Sequence, residues 1–359
     1  MNKSILTRCM RERAVALSAT AALVLVSALL LGVAPAPGAF ATLETAPVPH
    51  SGDAADDAAI WRVATHPARS TLIGTDKGGG VAVYDSQTGA QLQYLSGGEY
   101  NNVDLRQGFT LGDKSVSLVV ASRQDTKALG IWRVDPATRK LVSVTAGVRT
   151  TLDNNYGLCL GRAGSKTYAY INSEGGQVEQ LRLRDNSSGK VSGAVVRTFD
   201  VGTQTEGCVV DQASNALYIG EEAVGIWRYS SLPTGGTTRT KVDGVGSAGH
   251  LAADVEGLTI AGGHLLASSQ GSSSFASYAL PGGAYEGEFA ITANPSGKPD
   301  AVTGTDGIDA TAQGLGAKFP YGVFVAQDTS NTNPSANQNF KLVPFDSIFR
   351  RAMRHHPRT

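Results

Sequence analysis

The sequence predicts an all-β chain folded as a six-bladed β-propeller with four-stranded antiparallel blades, and three observations carry that reading. The chain of 359 residues holds 43 Gly against 3 Met and is only 17% charged. Its apolar runs are short, rich in Val, Ile, Leu and Tyr, and bounded by turn residues, which is the pattern of many strands. Gly157, Gly207, Gly257 and Gly307 follow one another at a spacing of fifty residues, and each opens an apolar run. Units of about fifty residues with four short strands are those of propeller blades. A pair of β-sandwiches would also be all-β but gives no reason for the period.

The strands repeat in a constant order. First strands are "DDAAIW", "NNVDLR" and the runs "LCL", "CVV", "LTI" and "IDA" that follow the four spaced glycines. Second strands are "LIGTDK", "LVVASR", "YAYINSE", "LYIGEE", "LLASSQ" and "GVFVAQD". Third strands are "GVAVYD", "LGIWRVD", "QVEQLRL", "VGIWRYS", "FASYAL" and "NFKLVPF", and fourth strands fit at "QLQYLS", "KLVSVT", "AVVRTFD" and "YEGEFAI". The six units fill a domain spanning 42–350. A strand ahead of the first unit is expected to pair with the last blade and leave no free sheet edge.

Before the blades, "MNKSILTRCMRER" supplies basic residues, residues 14–33 are almost wholly apolar, and "AFA" ends the stretch with small residues at 39 and 41. Residues 1–41 read as a secretory signal, which puts the mature protein outside the cell. The same stretch is long enough to span a bilayer as an uncleaved anchor. After the blades, 351–359 is a basic tail containing His355 and His356. Removal of Cys9 with the signal leaves Cys159 and Cys208. One disulfide and two buried free thiols both suit that pair, and there is no zinc-type Cys-x-x-Cys. Lys plus Arg equals Asp plus Glu at 31 each, so neither a basic nucleic-acid surface nor an acidic disordered chain is expected. A propeller that buries its edges is expected to be a monomer.

In a propeller, the same position of every blade lies on one ring around the channel. The first-strand starts give Asp57, Asn102 with Asp104, Tyr156, Glu206, Glu256 and Asp306. The second-strand ends give Lys77, Arg123, Glu174, Glu222, Gln270 and Asp328. Antiparallel pairing brings both rings to one mouth. Glu-Gly and Asp-Gly also spell turns, but turn chemistry has no preference for glutamate at successive copies. Crowded carboxylates, with Asp254 two residues before Glu256, repel unless cations lie between them. Oxygen ligands without His or Cys point to calcium ahead of magnesium. Lys77 and Arg123 beside such cations suit a polyanion such as a phosphate ester, although surface ion pairs would place them equally well. Metal-activated water would then need no protein nucleophile. His66 falls in a turn-like stretch, and His250 and His264 stand alone.

These residues closely resemble the β-propeller phytases, the calcium-dependent alkaline phytases of bacteria. The resemblance runs through "DDAAIW", "NNVDLR", "NNYGL", "QTEG", "LYIGEE", "DVEGLTI", "LASSQGSSS", "TDGID", "GVFVAQD" and "NQNFKLVPF", in order. It implies a secreted hydrolase of the 3-phytase type that removes phosphate from myo-inositol hexakisphosphate, free or as its calcium salt, with several calcium ions. The family's calcium ligands correspond to Asp57, Asn102, Tyr156, Glu206, Glu222, Asp254, Glu256, Gln270 and Asp300. Phosphate contacts fall to Lys77 and Arg123, with Tyr156 also at the substrate. Lys77, Arg123, Glu206, Glu222, Asp254 and Glu256 form the implied catalytic set, serving a cleavage site beside a second, affinity phosphate site. One departure is "NSEGGQVEQ", where Ser173 or Glu174 replaces a lysine of better-known members. Cys159 and Cys208 are another. They follow Tyr156 and Glu206 on neighbouring inner strands, where a disulfide could join two blades.

Two other functions fit a propeller with a cation: a calcium-dependent lactonase and a non-catalytic calcium-stabilised binding module. The chain lacks the Arg-His-Gly-x-Arg-x-Pro of phosphohistidine phosphatases, and neither Cys159 nor Cys208 is followed by arginine at the sixth place.

Overall fold

A computed structural model describes residues 39–352. Of the expected secretory signal, residues 1–41, the part before residue 39 lies outside the described residues, as does the expected basic tail, 351–359, after residue 352. Six four-stranded antiparallel sheets follow one another along the chain. Blade 1 is built from Ala55–Trp61, Thr71–Asp76, Gly80–Asp85 and Gln91–Ser96, and blade 2 from Tyr100–Leu111, Lys114–Arg123, Leu129–Asp135 and Lys140–Ser143. Blade 3 takes Leu158–Ala163, Lys166–Asn172, Gln177–Asp185 and Val191–Asp200; blade 4 takes Thr205–Asp211, Ala216–Glu221, Gly225–Ser230 and Arg239–Gly244. Blade 5 takes Val255–Ala261, His264–Ser269, Ser274–Ala279 and Ala284–Phe289. The last blade has Ile308–Thr311, Val323–Asp328 and Asn339–Pro344, and Leu43–Glu44 completes it from the other end of the chain, with Leu43 opposite Leu342. This is the expected ring closure, and it removes the free edge of blade 6.

Blade faces meet in hydrophobic seams. Ile73, Val81 and Val83 of blade 1 pack with Val103, Val119 and Trp132 of blade 2, and Tyr168 and Tyr170 of blade 3 pack with Leu217 and Ile219 of blade 4. Middle strands are therefore buried on both faces, as in Leu72 and Ile73, and read as continuous apolar runs rather than alternating ones. The disulfide between Cys159 and Cys208 joins the innermost strands of blades 3 and 4. A short helix, Phe345–Ala352, follows the last strand and lays Phe345 and Ile348 into the seam between blades 5 and 6.

The small residues read as the end of the signal belong to the folded body. Ala39–Phe40 pairs with Ile291–Thr292, and Ala39 and Ala41 are buried. Asn294 Nδ2 donates to the Ala41 carbonyl at 2.8 Å.

The repeated carboxylate-glycine pair has a structural cause. In blade 4, Thr205 faces Glu221 and Cys208 faces Ile219, so Glu206 and Gly207 together oppose Gly220 alone. This is a β-bulge, a device that re-aims a side chain near a site. Blade 5 repeats it with Glu256 and Gly257, blade 1 with Asp56 and Asp57, and blade 2 with Asn101 and Asn102. The first residue of each bulge turns toward the mouth. The second abuts the next blade: a Cβ on Gly207 would stand 2.1 Å from the Glu256 carbonyl oxygen, and one on Gly157 only 1.9 Å from that of Glu206. Blades 1 and 2 place a side chain in this seam instead. Asp57 Oδ2 accepts the Val103 N–H at 3.1 Å and the Asn102 amide at 3.3 Å.

A candidate cation and phosphate site at one mouth of the channel

One end of the channel opens into a cavity of about 750 Å³ lined by Asp53, Lys77, Tyr156, Gln204, Glu206, Glu222, Asp254, Glu256, Gln270, Asp306 and Thr329, with the Ala336–Gln338 loop at its side. The first-strand starts and second-strand ends thus share a mouth, as antiparallel pairing requires. Glu206, Glu222 and Glu256 each bring a carboxylate oxygen within 4.8 Å of the other two, and all three are buried. Glu222 Oε1 and Glu256 Oε2 have no hydrogen-bond partner. Burial, with the charges of Asp56 and Glu256, holds the Glu206 carboxyl well above its ordinary range. Burial and Glu222 do the same to Glu256. Burial and Asp254 push Glu222 up to about 7, and burial and Asp56 push Asp306 up to about 7.

One cation of the chain's own sits at the edge of this cluster. Lys77 Nζ lies 2.9 Å from Asp53, 3.0 Å from Asp56 and 3.2 Å from Asp306. Burial works against its charge, but Asp56, Asp306, Glu206 and Asp53 outweigh burial and keep Lys77 protonated well above the lysine range. Gln270 Nε2 donates to the other Asp306 oxygen at 2.6 Å. Asn101 Nδ2 donates to Glu206 Oε1 at 2.9 Å. Burial and the Glu206 charge push the Tyr156 phenol up, with its hydroxyl bonded toward that carboxylate.

A single lysine cannot neutralise this many acids. Unpartnered buried oxygens, carboxylates converging on one point, and amide and phenol oxygens nearby make a donor set for a hard cation. The residues therefore fit a hard metal ion, which Glu206, Glu222 and Glu256 would hold, with Asp254, Asp306 and Gln270 around them.

The structure brings together Lys77, Tyr156, Glu206, Glu222, Asp254, Glu256 and Gln270. It separates four others. Asp57 and Asn102 hold the second bulge position and line the channel below, in a cavity of about 580 Å³ that opens at the opposite end. Asp56 and Asn101 take the ring places that the sequence reading gave to them, because the bulge adds one residue and shifts the frame. Arg123 faces Tyr100 in the ladder, as Glu221 faces Thr205, so Gln124 is the counterpart of Lys77 in blade 2. The Arg123 guanidinium is paired with Asp125 at 2.5 Å and lies over the Tyr100 ring. Asp300 is drawn away to Lys341, whose fully buried ammonium it meets at 2.5 Å, beside Glu44 at 2.6 Å and Asp328 at 3.2 Å. Asp328 accordingly faces inward, and Thr329 lines the mouth in its place. Glu174 stands exposed at the blade 3 counterpart of Glu222. Asp53 and Asp56 were legible only as the acids of "GDAADD".

Comparison with known proteins adds a lineage. A family model described as Phytase matches residues 11–357. A curated relative named 3-phytase, from Bacillus subtilis (strain 168), is 40% identical over 321 residues, covering 85% of this chain and 83% of the relative. Among solved structures, a functionally unknown protein from Desulfotomaculum acetoxidans DSM 771 aligns with 64% of this chain and 70% of its own at 12% identity and a TM-score of 0.45.

Proposed function

The chain belongs to the phytase family, and from that premise we propose a calcium-dependent phosphomonoesterase that releases phosphate from myo-inositol hexakisphosphate outside the cell. The observation that carries the metal part is the triad of buried carboxylates, Glu206, Glu222 and Glu256, with oxygens left unpartnered beside Lys77. Membership supports a phosphatase over a lactonase or a binding module.

The cavity supplies positioning and charge. Calcium bound among Glu206, Glu222 and Glu256 would offset phosphate charge and make a bound water more acidic. Lys77 presents a permanent cation to a phosphate oxygen, its orientation locked by Asp53, Asp56 and Asp306. Asp306 is steadied from its other side by Gln270, so the amide, carboxylate and ammonium form one rigid chain. Tyr156 and Asn101 hold Glu206 from two directions. No Ser, Cys or His is among the described residues lining the cavity, which favours attack by water. Calcium is favoured over magnesium because the donors are numerous and irregularly placed. The role of Arg123 as a phosphate contact requires release from Asp125, and Asp300, Asp57 and Asn102 would serve cations elsewhere than the mouth.

Export is supported by the basic and apolar start of the chain and by the disulfide, which persists in oxidising surroundings. No helix among the described residues is long and apolar enough to cross a membrane.

The test is phosphate release from phytate by the purified chain, stripped with a chelator and titrated with calcium. Turnover restored by calcium is expected. A folded chain that releases no phosphate at any calcium concentration would overturn the proposal.

A further inference from the structure

Equal totals of basic and acidic residues conceal an unequal distribution. Each blade sends its first strand away from the mouth, so the turns after the first and third strands lie at the opposite end. Among the described residues lining the mouth, Lys77 is the one Lys or Arg beside Asp53, Glu206, Glu222, Asp254, Glu256 and Asp306. Blades 2 and 3 reverse that balance at their far ends. In blade 2, Lys114 follows the first of these turns, and Arg133, Arg139 and Lys140 flank the second. In blade 3, Arg162 and Lys166 flank the first, and Arg184 and Lys190 the second. The carboxylates among these eight cations are four: Asp113, Asp135, Asp185 and, reaching across from blade 1, Asp85.

Three of those acids are already engaged. Asp85 pairs with Arg139 at 2.5 Å, Asp135 accepts the Ala137 N–H at 2.9 Å, and Asp185 accepts the N–H groups of Gly112 at 2.9 Å and Ser187 at 3.0 Å. Among the described residues, none of Lys114, Arg133, Lys140, Lys166, Arg184 and Lys190 forms an ion pair. All of these but Arg133 are exposed. The two blades' turns are joined into one surface: besides the Gly112 bond to Asp185, Lys190 Nζ donates to the Ser143 carbonyl at 3.2 Å and the Arg162 guanidinium to that of Gln107 at 2.5 Å. The turns themselves, at 112–113, 136–138, 164–165 and 186–189, hold no aromatic or long aliphatic side chain. A surface that settles into lipid carries apolar anchors, and one that holds single-stranded nucleic acid carries aromatics for the bases. This one offers charge alone.

We propose that the turns of blades 2 and 3 farthest from the mouth form a docking surface for an extracellular polyanion whose charges are phosphodiesters, a polyol phosphate polymer. Guanidinium forks and lysine ammonium groups both suit phosphate oxygens. The choice of a diester draws on the phosphomonoesterase reading above: such an enzyme would strip a partner made of phosphomonoesters, whereas a diester chain is not its substrate. A polycarboxylate would compete with Glu206, Glu222 and Glu256 for a hard cation. Docking by this end leaves the mouth turned away from the polymer and open to soluble substrate.

The experiment measures Kd by titration calorimetry for the purified, calcium-loaded protein with poly(glycerol phosphate), polygalacturonate, single-stranded DNA and phosphatidylglycerol vesicles. Wild type should bind poly(glycerol phosphate) at 50 mM salt and lose about 50-fold in affinity by 200 mM, as about four phosphate contacts require. Replacing Lys114, Lys166 and Lys190 together by Glu should weaken binding at least about tenfold. Replacing the exposed Lys241, Lys298 and Lys318 by Glu makes the same change in net charge elsewhere and should cost less than about threefold, since exposed charges beyond a Debye length are screened. Melting temperature reports that both variants fold, and phosphate release from phytate should match wild type in each. No binding of poly(glycerol phosphate) by wild type at 50 mM salt, or an equal loss in both variants, would overturn the inference. So would tighter binding to the vesicles, the DNA or the polycarboxylate, each of which names a different partner. Binding is read without turnover, so a chain that fails to hydrolyse phytate yet binds the polymer loses the phosphomonoesterase reading and keeps the docking surface.

Discussion

Replacing Gly207 by alanine tests whether the bulged glycine ring sets the spacing of the acids. A Cβ there would sit 2.1 Å from the Glu256 carbonyl oxygen, 2.7 Å from its carbon and 2.9 Å from the Gly257 Cα. All three are backbone atoms, so no rotamer change relieves the overlap. Against an ordinary contact of about 3.5 Å, the inner strands of blades 4 and 5 must part by about 1.4 Å. Overpacking against backbone of this kind costs ~3 kcal/mol. The same displacement moves Glu206 from Glu256 and should weaken calcium binding at least about tenfold. Urea melts give the first number and calorimetric calcium titration the second. Gly175→Ala is the control, since its nearest neighbour would be Ser173 Oγ at 3.7 Å, and it should fall within about 0.5 kcal/mol of wild type. If Gly207→Ala were as stable as that control and bound calcium normally, the steric account of the repeated glycine would be wrong.

Three further outcomes follow from the same geometry. In chelator, Glu222→Gln should raise the melting temperature at pH 8: a folded-state pKa near 7 against an ordinary 4.5 means that ionised Glu222 opposes folding. That penalty is absent below about pH 4.5, builds up as pH rises from there toward 7, and is complete above 7, so it is fully present at pH 8. Screening from the open cavity leaves ~1.5 kcal/mol, or about 3 °C; the variant should lose most of the stabilisation by added calcium, and scanning calorimetry with and without metal reads both. Replacing Cys159 and Cys208 together by alanine removes a cross-link spanning 49 residues, which should cost up to ~4 kcal/mol in denaturant melts while calcium-restored turnover persists. Under the proposed export, N-terminal sequencing of protein recovered from the medium should find cleavage before Ala39, because a cut after Ala41 would remove the strand that pairs with Ile291–Thr292.

Repetition made the architecture readable. The fifty-residue spacing of Gly157, Gly207, Gly257 and Gly307 located four blades because one steric demand, close backbone approach around a channel, recurs in each. The same logic found Glu206 and Glu256, where acid and glycine occupy the two bulge positions in plain view. It slipped by one residue in blades 1 and 2, where Asp56-Asp57 and Asn101-Asn102 repeat a residue type across the bulge and leave no mark of which member faces the mouth. Arg123 and Asp328 differ for the matching reason on the second strands, where charge stands out in the sequence but the ladder partner that fixes the strand end does not. Asp300 was beyond reach, since its partner Lys341 lies 41 residues further on and meets it only through tertiary packing.

Each slip concerns how a charge is satisfied. At Lys341 the fold answers three carboxylates with a buried ammonium of its own, which also donates to the Asn331 amide oxygen. At the mouth it places one ammonium among Asp53, Asp56 and Asp306 and leaves Glu206, Glu222 and Glu256 with each other. The two clusters are built from the same residue types, yet only the second opens to a cavity and keeps glutamate oxygens without partners. A closed acidic cluster satisfied by an internal lysine is a structural solution; an open one whose three glutamates face chiefly one another is the arrangement behind the proposed cation site, and that difference singles out the mouth as the candidate.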